Sequence, residues 1–306
     1  VVLGGGPIGS ELTQAFARLG TKVTQVEMAD RLMAREDREV SEHIQSVFAQ
    51  EGVEVLTGHQ ATEVRVEDGK NYLLCTHNDE EKRIPFDRIL VAVGRQPNVT
   101  GFGLEALGVA ITDKGTVGVD PFLRTNLPNI FAVGDVAGPY QFTHTAAHMA
   151  WFAAVNALFG GLKRFRVDYR VIPWATFTDP EVARVGLSET EAKEQNIDVD
   201  VTRYGIDDLD RAIADGTDQG WVKVLTVPGK DKVLGATIVG HHASDLITEF
   251  VSAMKHNIGM NNILGTIHIY PTLSEANKFA AGEWKKARKP ETVLAWVKKY
   301  HAWKRG

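Results

Sequence analysis

Cysteine is nearly missing from this chain: Cys75 is the only one among 306 residues. A single thiol excludes an intrachain disulfide framework and any metal site built from several cysteines. It sits in Tyr72-Leu-Leu-Cys-Thr76, which reads as a strand, so a packed thiol is expected there rather than a nucleophile. No uninterrupted apolar run reaches the length that spans a bilayer, so no transmembrane helix is expected. No secretory leader is visible, and the expected location is the cytoplasm. An excess of basic residues is lacking too. The 34 Lys and Arg against 39 Asp and Glu leave a net charge of −5, which argues against general nucleic-acid binding. A starting methionine is absent, and only Val1, Val2 and Leu3 precede the first glycine, where a strand should offer five or six residues. The chain is therefore expected to begin inside a domain of a longer polypeptide. Its hydrophobic content of 43% and charged content of 24% fit globular domains with sizeable cores and not disorder.

Glycine is present in a pattern. Val1-Val-Leu-Gly4-Gly-Gly6-Pro7-Ile8-Gly9-Ser-Glu11 reads as the end of a buried strand, a Gly-x-Gly-x-x-Gly turn and the start of a helix. Gly4 permits the tight turn, Gly6 lets backbone approach a pyrophosphate, and Gly9 lets helix and strand pack closely. The helix N-terminus turns unpaired N–H groups toward the anion. Leu12, Phe16 and Leu19 recur at helical spacing. A second strand, Lys22 to Glu27, ends in an acid. Glu27 lies roughly 20 residues past the glycines, where a carboxylate accepts the ribose hydroxyls of NAD and repels the extra phosphate of NADP. Arg31 favours NADP unless a nearby acid such as Asp30 or Glu36 pairs with it. NAD is the expected cofactor, with NADP the alternative.

The following residues continue the alternation of strands and helices. Val40 to Phe48 has helical periodicity, and Val53 to Leu56 is a short strand. Ala61 to Asp68 and Lys70 to Thr76 read as antiparallel strands around Asp68-Gly69. Ile89-Leu-Val-Ala-Val93 is a continuous apolar run, suited to a strand buried on both faces. Gly94-Arg95-Gln-Pro97-Asn98 then punctuates a domain crossing. Further on, a buried strand from Ile130 to Val133 is expected to end in Gly134-Asp135. An aspartate there accepts hydrogen bonds from ligand hydroxyls, or closes an Asx turn. The helix Thr143 to Leu158 points its N-terminus at the same crevice, suited to an anion or an electron-rich ring edge. His144 and His148 share one face of that helix, but no Glu follows His144, so the zinc-hydrolase pattern is absent. The adjacent His241 and His242 cannot share a helix face. No metal site is expected.

Six segments, in order, resemble the flavin-dependent pyridine nucleotide–disulfide oxidoreductases, the family of dihydrolipoamide dehydrogenase, glutathione reductase and mercuric reductase. Gly4 to Glu11 resembles its NAD(P) fingerprint. Val91 to Asn98, with Gly94, resembles its Gly-Arg-x-Pro-Asn crossing. Thr125 to Asp135 resembles its second FAD motif, and Pro173 to Gly186 the start of its dimerisation domain. Ala212 to Gly216 and His268 to Glu275 continue that domain. The resemblance implies an α/β fold: a Rossmann-like NAD-binding domain (1–96), the C-terminal segment of an FAD-binding domain (97–170) and an α+β interface domain (171–306). It implies bound FAD and NAD, with Gly4, Gly6, Pro7, Ile8, Gly9, Glu11 and Glu27 at the nicotinamide nucleotide. Gly94 is expected to meet a cofactor at the domain crossing, and Asp135, Thr143 and His144 fall to the flavin side, Asp135 on the ribityl chain and Thr143 and His144 near the ring edge. It implies hydride transfer from nicotinamide to flavin, then electrons to a small redox acceptor, in a homodimer serving cell redox homeostasis. The family's first FAD half and its Cys-x-x-x-x-Cys pair are not in these residues. A dimerising NAD-binding module without flavin turnover, or an NADH oxidase, are the alternatives.

The family's partner-subunit acid–base pair is a histidine before Pro-Thr and a glutamate five positions later. Here Tyr270 and Glu275 hold those places. A phenol titrates near ~10 and an imidazole near ~6.5, so Tyr270 is a poor base at neutral pH but can donate a hydrogen bond. This departure argues against lipoamide or glutathione as acceptor. His268, two residues earlier, reads as a packing or surface histidine. The mercuric reductases' C-terminal cysteine pair has no counterpart in Ala302 to Gly306. The region from Lys278 to Arg305 is basic, with Trp284, Trp296 and Trp303 interleaved. It reads as a solvated amphipathic helix packing its tryptophans on the dimer core. The alternative is a surface for anionic lipid or an acidic partner.

Overall fold

Short apolar strands near the start of the chain form a parallel sheet, with helices between them. In chain order these are β1 (Val2–Leu3), α1 (Pro7–Arg18), β2 (Thr24–Val26), α2 (Arg38–Gln50) and β3 (Glu54–Leu56). Next come β4 (Gln60–Glu67), β5 (Lys70–His77), β6 (Glu80–Phe86) and β7 (Leu90–Val91). The sheet order is β3-β2-β1-β7, all parallel, while β4-β5-β6 make a separate antiparallel sheet. Val40, Ile44 and Phe48 recur along one face of α2 and are wholly buried with Val2, Val23 and Val53. Asp68 and Gly69 both have positive φ, 49° and 74°, as a two-residue hairpin turn requires. Cys75 is buried beside Val26, Leu73 and Ile84.

Two expectations fail here. Helix α1 forms, but the residues it buries are Gly9, Ser10, Thr13 and Gln14. Phe16 and Leu19 are exposed instead, Leu19 at 81%. The helix is rotated because its small and polar residues make the close contacts: Gly9 with the Gly4 carbonyl, Gln14 with Glu51 and Asp179. The run Ile89 to Val93 pairs only at Leu90–Val91, and Val91 and Val93 are exposed. Val91 and Val93, two residues apart, lie on the same face of the run, and nothing in the chain covers that face.

The computed structural model describes all 306 residues, in two compact units: residues 1–93 with 173–306, and residues 94–172. In the latter, α3 (Thr143–Phe159) packs Met149 and Ala153 with Leu123 and Val167. The expected strand Ile130–Val133 is reduced to one bridge, Phe131 with Arg124, followed by a 3-10 turn over Gly134–Val136. The backbone accounts for this. Asp120 accepts the N–H groups of Phe122 and Arg124 and curls the facing segment, and Gly134, with φ 72°, ends the extended run.

The first unit resumes with β8 (Pro173–Thr176), β9 (Glu181–Gly186), α4 (Glu189–Glu194), β10 (Asp200–Gly205) and α5 (Asp210–Asp215). It continues through β11 (Trp221–Thr226), β12 (Val233–Gly240), α6 (Ala243–Leu246), α7 (Thr248–His256) and α8 (Met260–Gly265) to α9 (Glu275–Lys286) and α10 (Glu291–Lys304). Its antiparallel sheet runs β10-β11-β12-β9-β8. Val182, Trp221 and Val239 from that sheet join Val2, Ile44 and Phe48 in one core. The parallel sheet and the antiparallel sheet are thus held by the same buried residues. No helix is long and apolar enough to cross a membrane.

Candidate functional site

The glycine turn between β1 and α1 is locked by contacts that leave no space for side chains. Gly4 has φ 116°, and a Cβ on it would stand 2.4 Å from the Ala92 carbonyl oxygen. A Cβ on Gly9 would stand 2.1 Å from the Gly4 oxygen. Gly6 differs: a Cβ there meets nothing within 4 Å, so its backbone opens onto free space. Pro7 takes the first helical turn, where a missing N–H costs nothing. The buried Gln25 of β2 supports the turn from below, donating from Nε2 to the Gly4 carbonyl at 3.0 Å. No sequence pattern pointed to Gln25; a polar residue inside a buried strand is the signal for such a role.

Glu27 follows β2 directly and stands over the turn. Its carboxylate accepts the Gly5 N–H at 2.5 Å and the Ala29 N–H at 2.7 Å. This puts negative charge next to the open backbone of Gly6. Arg31 is 3.3 Å from Asp30 and donates to the Ala34 carbonyl at 2.9 Å, the pairing expected to remove it from phosphate recognition. Glu11 is turned elsewhere, its Oε1 accepting the Phe177 N–H at 2.9 Å. It joins α1 to the segment after β8.

The loop between Glu27 and α2 is fastened at both ends. The Met33 N–H donates to the Gly5 carbonyl at 2.7 Å, tying the loop to the glycine turn. At the far end, the buried Lys223 of β11 donates to Asp37 at 2.6 Å, Glu39 at 2.5 Å and Glu189 at 2.8 Å. Burial alone would lower the Lys223 pKa, but hydrogen bonds to Asp37, Glu189 and Glu39 outweigh it and raise the pKa above the usual lysine range. Asp37 shows the converse: burial pushes it up, while Lys223 and the Thr190 N–H hold it below the usual carboxylate range. Arg184 of β9, wholly buried, reaches Glu36 at 2.9 Å and Glu191 at 2.5 Å. It also donates to the Arg35 carbonyl at 3.0 Å. Glu36 is pushed above the usual range by burial, against the pull of Arg184. Both cations escaped the sequence reading, although a single charge inside Ala183-Arg184-Val185 and Val222-Lys223-Val224 is a sign of a buried pair.

In residues 94–172, Arg95 Nη1 pairs with Asp135 Oδ2 at 3.1 Å and donates to the Gln141 carbonyl at 2.9 Å. Arg95 therefore bridges Asp135 to the segment that leads into α3. The Asp135 side chain keeps 43% of its surface exposed, enough to meet a ligand hydroxyl. Thr143 and His144 form the exposed first turn of α3, with the His144 ring stacked on Phe142. Gly94, with φ 131°, opens this unit.

Two family models match the chain: pyridine nucleotide-disulphide oxidoreductase over residues 1–150, and the dimerisation domain of the same enzymes over residues 172–281. The chain belongs to the pyridine nucleotide-disulphide oxidoreductase family. Among curated relatives, the dihydrolipoyl dehydrogenase of Chlamydia pneumoniae is 37% identical over 274 residues, covering 90% of this chain and 58% of that protein. The Staphylococcus aureus dihydrolipoyl dehydrogenase is 37% identical over 281 residues, 92% of this chain and 59% of the relative. The chain thus spans less than two thirds of the curated relatives it matches. Among solved structures, the HOCl-induced flavoprotein disulfide reductase RclA from Escherichia coli superposes with a TM-score of 0.83 at 26% identity, over 92% of this chain and 63% of that one.

In this family member the pair Tyr270 and Glu275 is separated by its hydrogen bonds. The Tyr270 hydroxyl donates to Asp210 at 2.9 Å, and this bond raises the phenol above its ordinary pKa. Glu275 is buried at the start of α9, where its Oε2 accepts the Thr272 N–H at 3.3 Å. The two side chains share no hydrogen bond in this arrangement. His268 is a packing histidine: its Nε2 lies 3.0 Å from Glu249, with the ring largely buried.

Proposed function

We propose that the whole protein is an FAD-dependent NAD(P)H oxidoreductase that works as a homodimer and passes electrons to a small acceptor. Residues 1–96 are the nicotinamide platform, 97–170 the C-terminal segment of the flavin domain, and 171–306 the interface domain. The observation that carries the reading is the glycine turn, closed to side chains at Gly4 and Gly9 and open at Gly6 beside Glu27. Residues at both candidate sites fit their groups. Gly6, Pro7, Ile8 and the first N–H groups of α1 face a pyrophosphate, and Glu27 accepts ribose hydroxyls. Asp135, steadied by Arg95, accepts hydroxyls of the flavin side chain, with Thr143 and His144 at the ring edge. Bound flavin supplies the chemistry itself, taking hydride from the nicotinamide and releasing electrons to the acceptor. The chain's own part is to bind, orient and hold charge.

Glu27 makes the protein select NADH. Glu27→Ser is expected to shift the ratio of kcat/KM values toward NADPH by about tenfold, equivalent to about 1.4 kcal/mol. Steady-state rates with each nucleotide check this, and an unchanged ratio removes Glu27 from the site.

Tyr270, held by Asp210 and raised in pKa, donates a hydrogen bond and takes no proton at neutral pH. Tyr270→Phe is therefore expected to change NADH-driven reduction of an artificial acceptor by no more than about twofold, with the same pH profile. A loss of about a hundredfold, the size of a general acid–base contribution, contradicts this assignment. Extraction of FAD from the purified protein tests the proposal as a whole.

A further inference from the structure

Helix α10 has 14 residues and buries none of them. Helices α1, α2, α3 and α9 each bury one side, so α10 alone among the long helices lacks a covered face. Its sequence is not that of a plain solvated helix. At helical spacing Val293, Trp296, Val297, Tyr300 and Trp303 fall within an arc of roughly 120°. Their rings adjoin, with 6.4 Å between Trp296 and Tyr300 and 6.1 Å between Tyr300 and Trp303. Trp284, on α9, is buried and donates to Thr226, whereas Trp296 and Trp303 are 71% and 79% exposed.

Charge separates the rest of the helix. Lys298, Lys299 and Arg305 lie outside the aromatic arc, Lys304 lies at its C-terminal end, and Glu291 is the helix's only acid. Eight of the chain's 34 basic residues and one of its 39 acidic ones fall in residues 285–306, although the chain as a whole is negative. The matched dimerisation domain ends at residue 281, before this helix begins.

We infer that α10 is an interfacial helix that lays its aromatic face on an anionic lipid bilayer. Tryptophan and tyrosine suit the headgroup level, where one edge of the ring is apolar and the other wet. Lys299, beside the arc, and Lys304, within it at the C-terminal end, reach the acidic headgroups along their alkyl stems, while Lys298 and Arg305 stay on the solvent side. The helix is too short and too charged to span, so it lies in the plane of the surface. A second copy of α10 is a poorer occupant, because it sets its own Lys304, and Lys299 at the arc's edge, against the same two positive charges.

The test is co-sedimentation of the full-length protein with vesicles of phosphatidylglycerol and phosphatidylcholine, against phosphatidylcholine alone. Binding is expected to the anionic vesicles and to fall as salt is raised. Trp296→Ser with Trp303→Ser should weaken it at least tenfold, and each of Lys299→Gln and Lys304→Gln about fivefold. NADH-driven turnover should stay the same in all of them, which shows that the fold is intact. Equal binding to both vesicle types, binding to neither, or unaltered binding by the double variant overturns the inference. It is also overturned if the double variant lowers the molar mass measured by light scattering without changing vesicle binding. The face is then a contact between copies.

Discussion

Lys223→Ala is expected to cost about 3–5 kcal/mol of folding stability at neutral pH. The lysine side chain is 2% exposed and lies within 2.8 Å of three carboxylates, Asp37, Glu39 and Glu189. Removing it leaves those charges facing one another with the buried Asp37 uncompensated. The pH dependence follows from the direction of each shift. Lys223 is raised in the folded state, so its contribution is complete below the unfolded lysine value near ~10.4 and is lost as pH rises through the higher folded value. Asp37 is depressed, so its contribution is present above the unfolded value near ~3.9 and is lost as pH falls through the lower folded value. Between these limits the intact cluster is at full strength. In the variant, burial without Lys223 raises Asp37, and protonation then relieves the penalty. The gap between wild type and variant should therefore be widest near neutrality and narrow below about pH 4. Urea unfolding of both proteins across that range measures it. A gap that is small or flat with pH contradicts the cluster's proposed role.

Gly9→Ala is expected to weaken NADH binding by about a hundredfold. The new Cβ would stand 2.1 Å from the Gly4 oxygen, where ordinary contact begins at about 3.4 Å. The start of α1 must therefore move by more than an ångström, and displacements of that size commonly cost about a hundredfold. The overlap is with backbone, so no side chain can give way. Gly6→Ala is the informative contrast. Its φ of −73° suits any residue, and its Cβ meets nothing within 4 Å. It should leave the unfolding midpoint unchanged and still weaken NADH binding, because the methyl group occupies the space through which a pyrophosphate approaches. Titration of NADH fluorescence with each variant gives the affinities. A Gly6→Ala protein that binds NADH normally contradicts the placement of the nucleotide.

The parts of the fold readable in the sequence are those where one local rule decides. Val40, Ile44 and Phe48 have the period of a helix face and nothing competes with it. Asp68-Gly69 has the two residues that a tight hairpin tolerates best. The glycine turn was readable because its spacing answers to sterics between backbones. Leu12, Phe16 and Leu19 misled because the α1 surface that meets the sheet needs close approach, and Gly9, Ser10 and Thr13 provide it better than large apolar residues do. Ile89 to Val93 misled for another reason: an apolar run does not reveal whether a neighbouring strand or helix will cover it, and Ile130 to Val133 misled because the Asp120 turn and Gly134 cut the extended run short. Lys223 and Arg184 stand out as charges inside apolar runs, but their partners on the loop before α2 lie far away in the chain. Arg184 meets Glu36 across 148 positions, and only the packing of β9 and β11 on the loop before α2 brings such groups together. That same packing links the antiparallel sheet to the loop beside Glu27.

The most direct measurement is anaerobic titration of the full-length protein with NADH while the flavin absorbance is followed. Stoichiometric bleaching with NADH, and bleaching at much higher concentrations with NADPH, is the result expected from a nicotinamide held at Gly6 and Glu27 and delivering hydride to bound FAD. Flavin that stays oxidised while NADH binds tightly contradicts the oxidoreductase account and leaves a dimerising NAD-binding module.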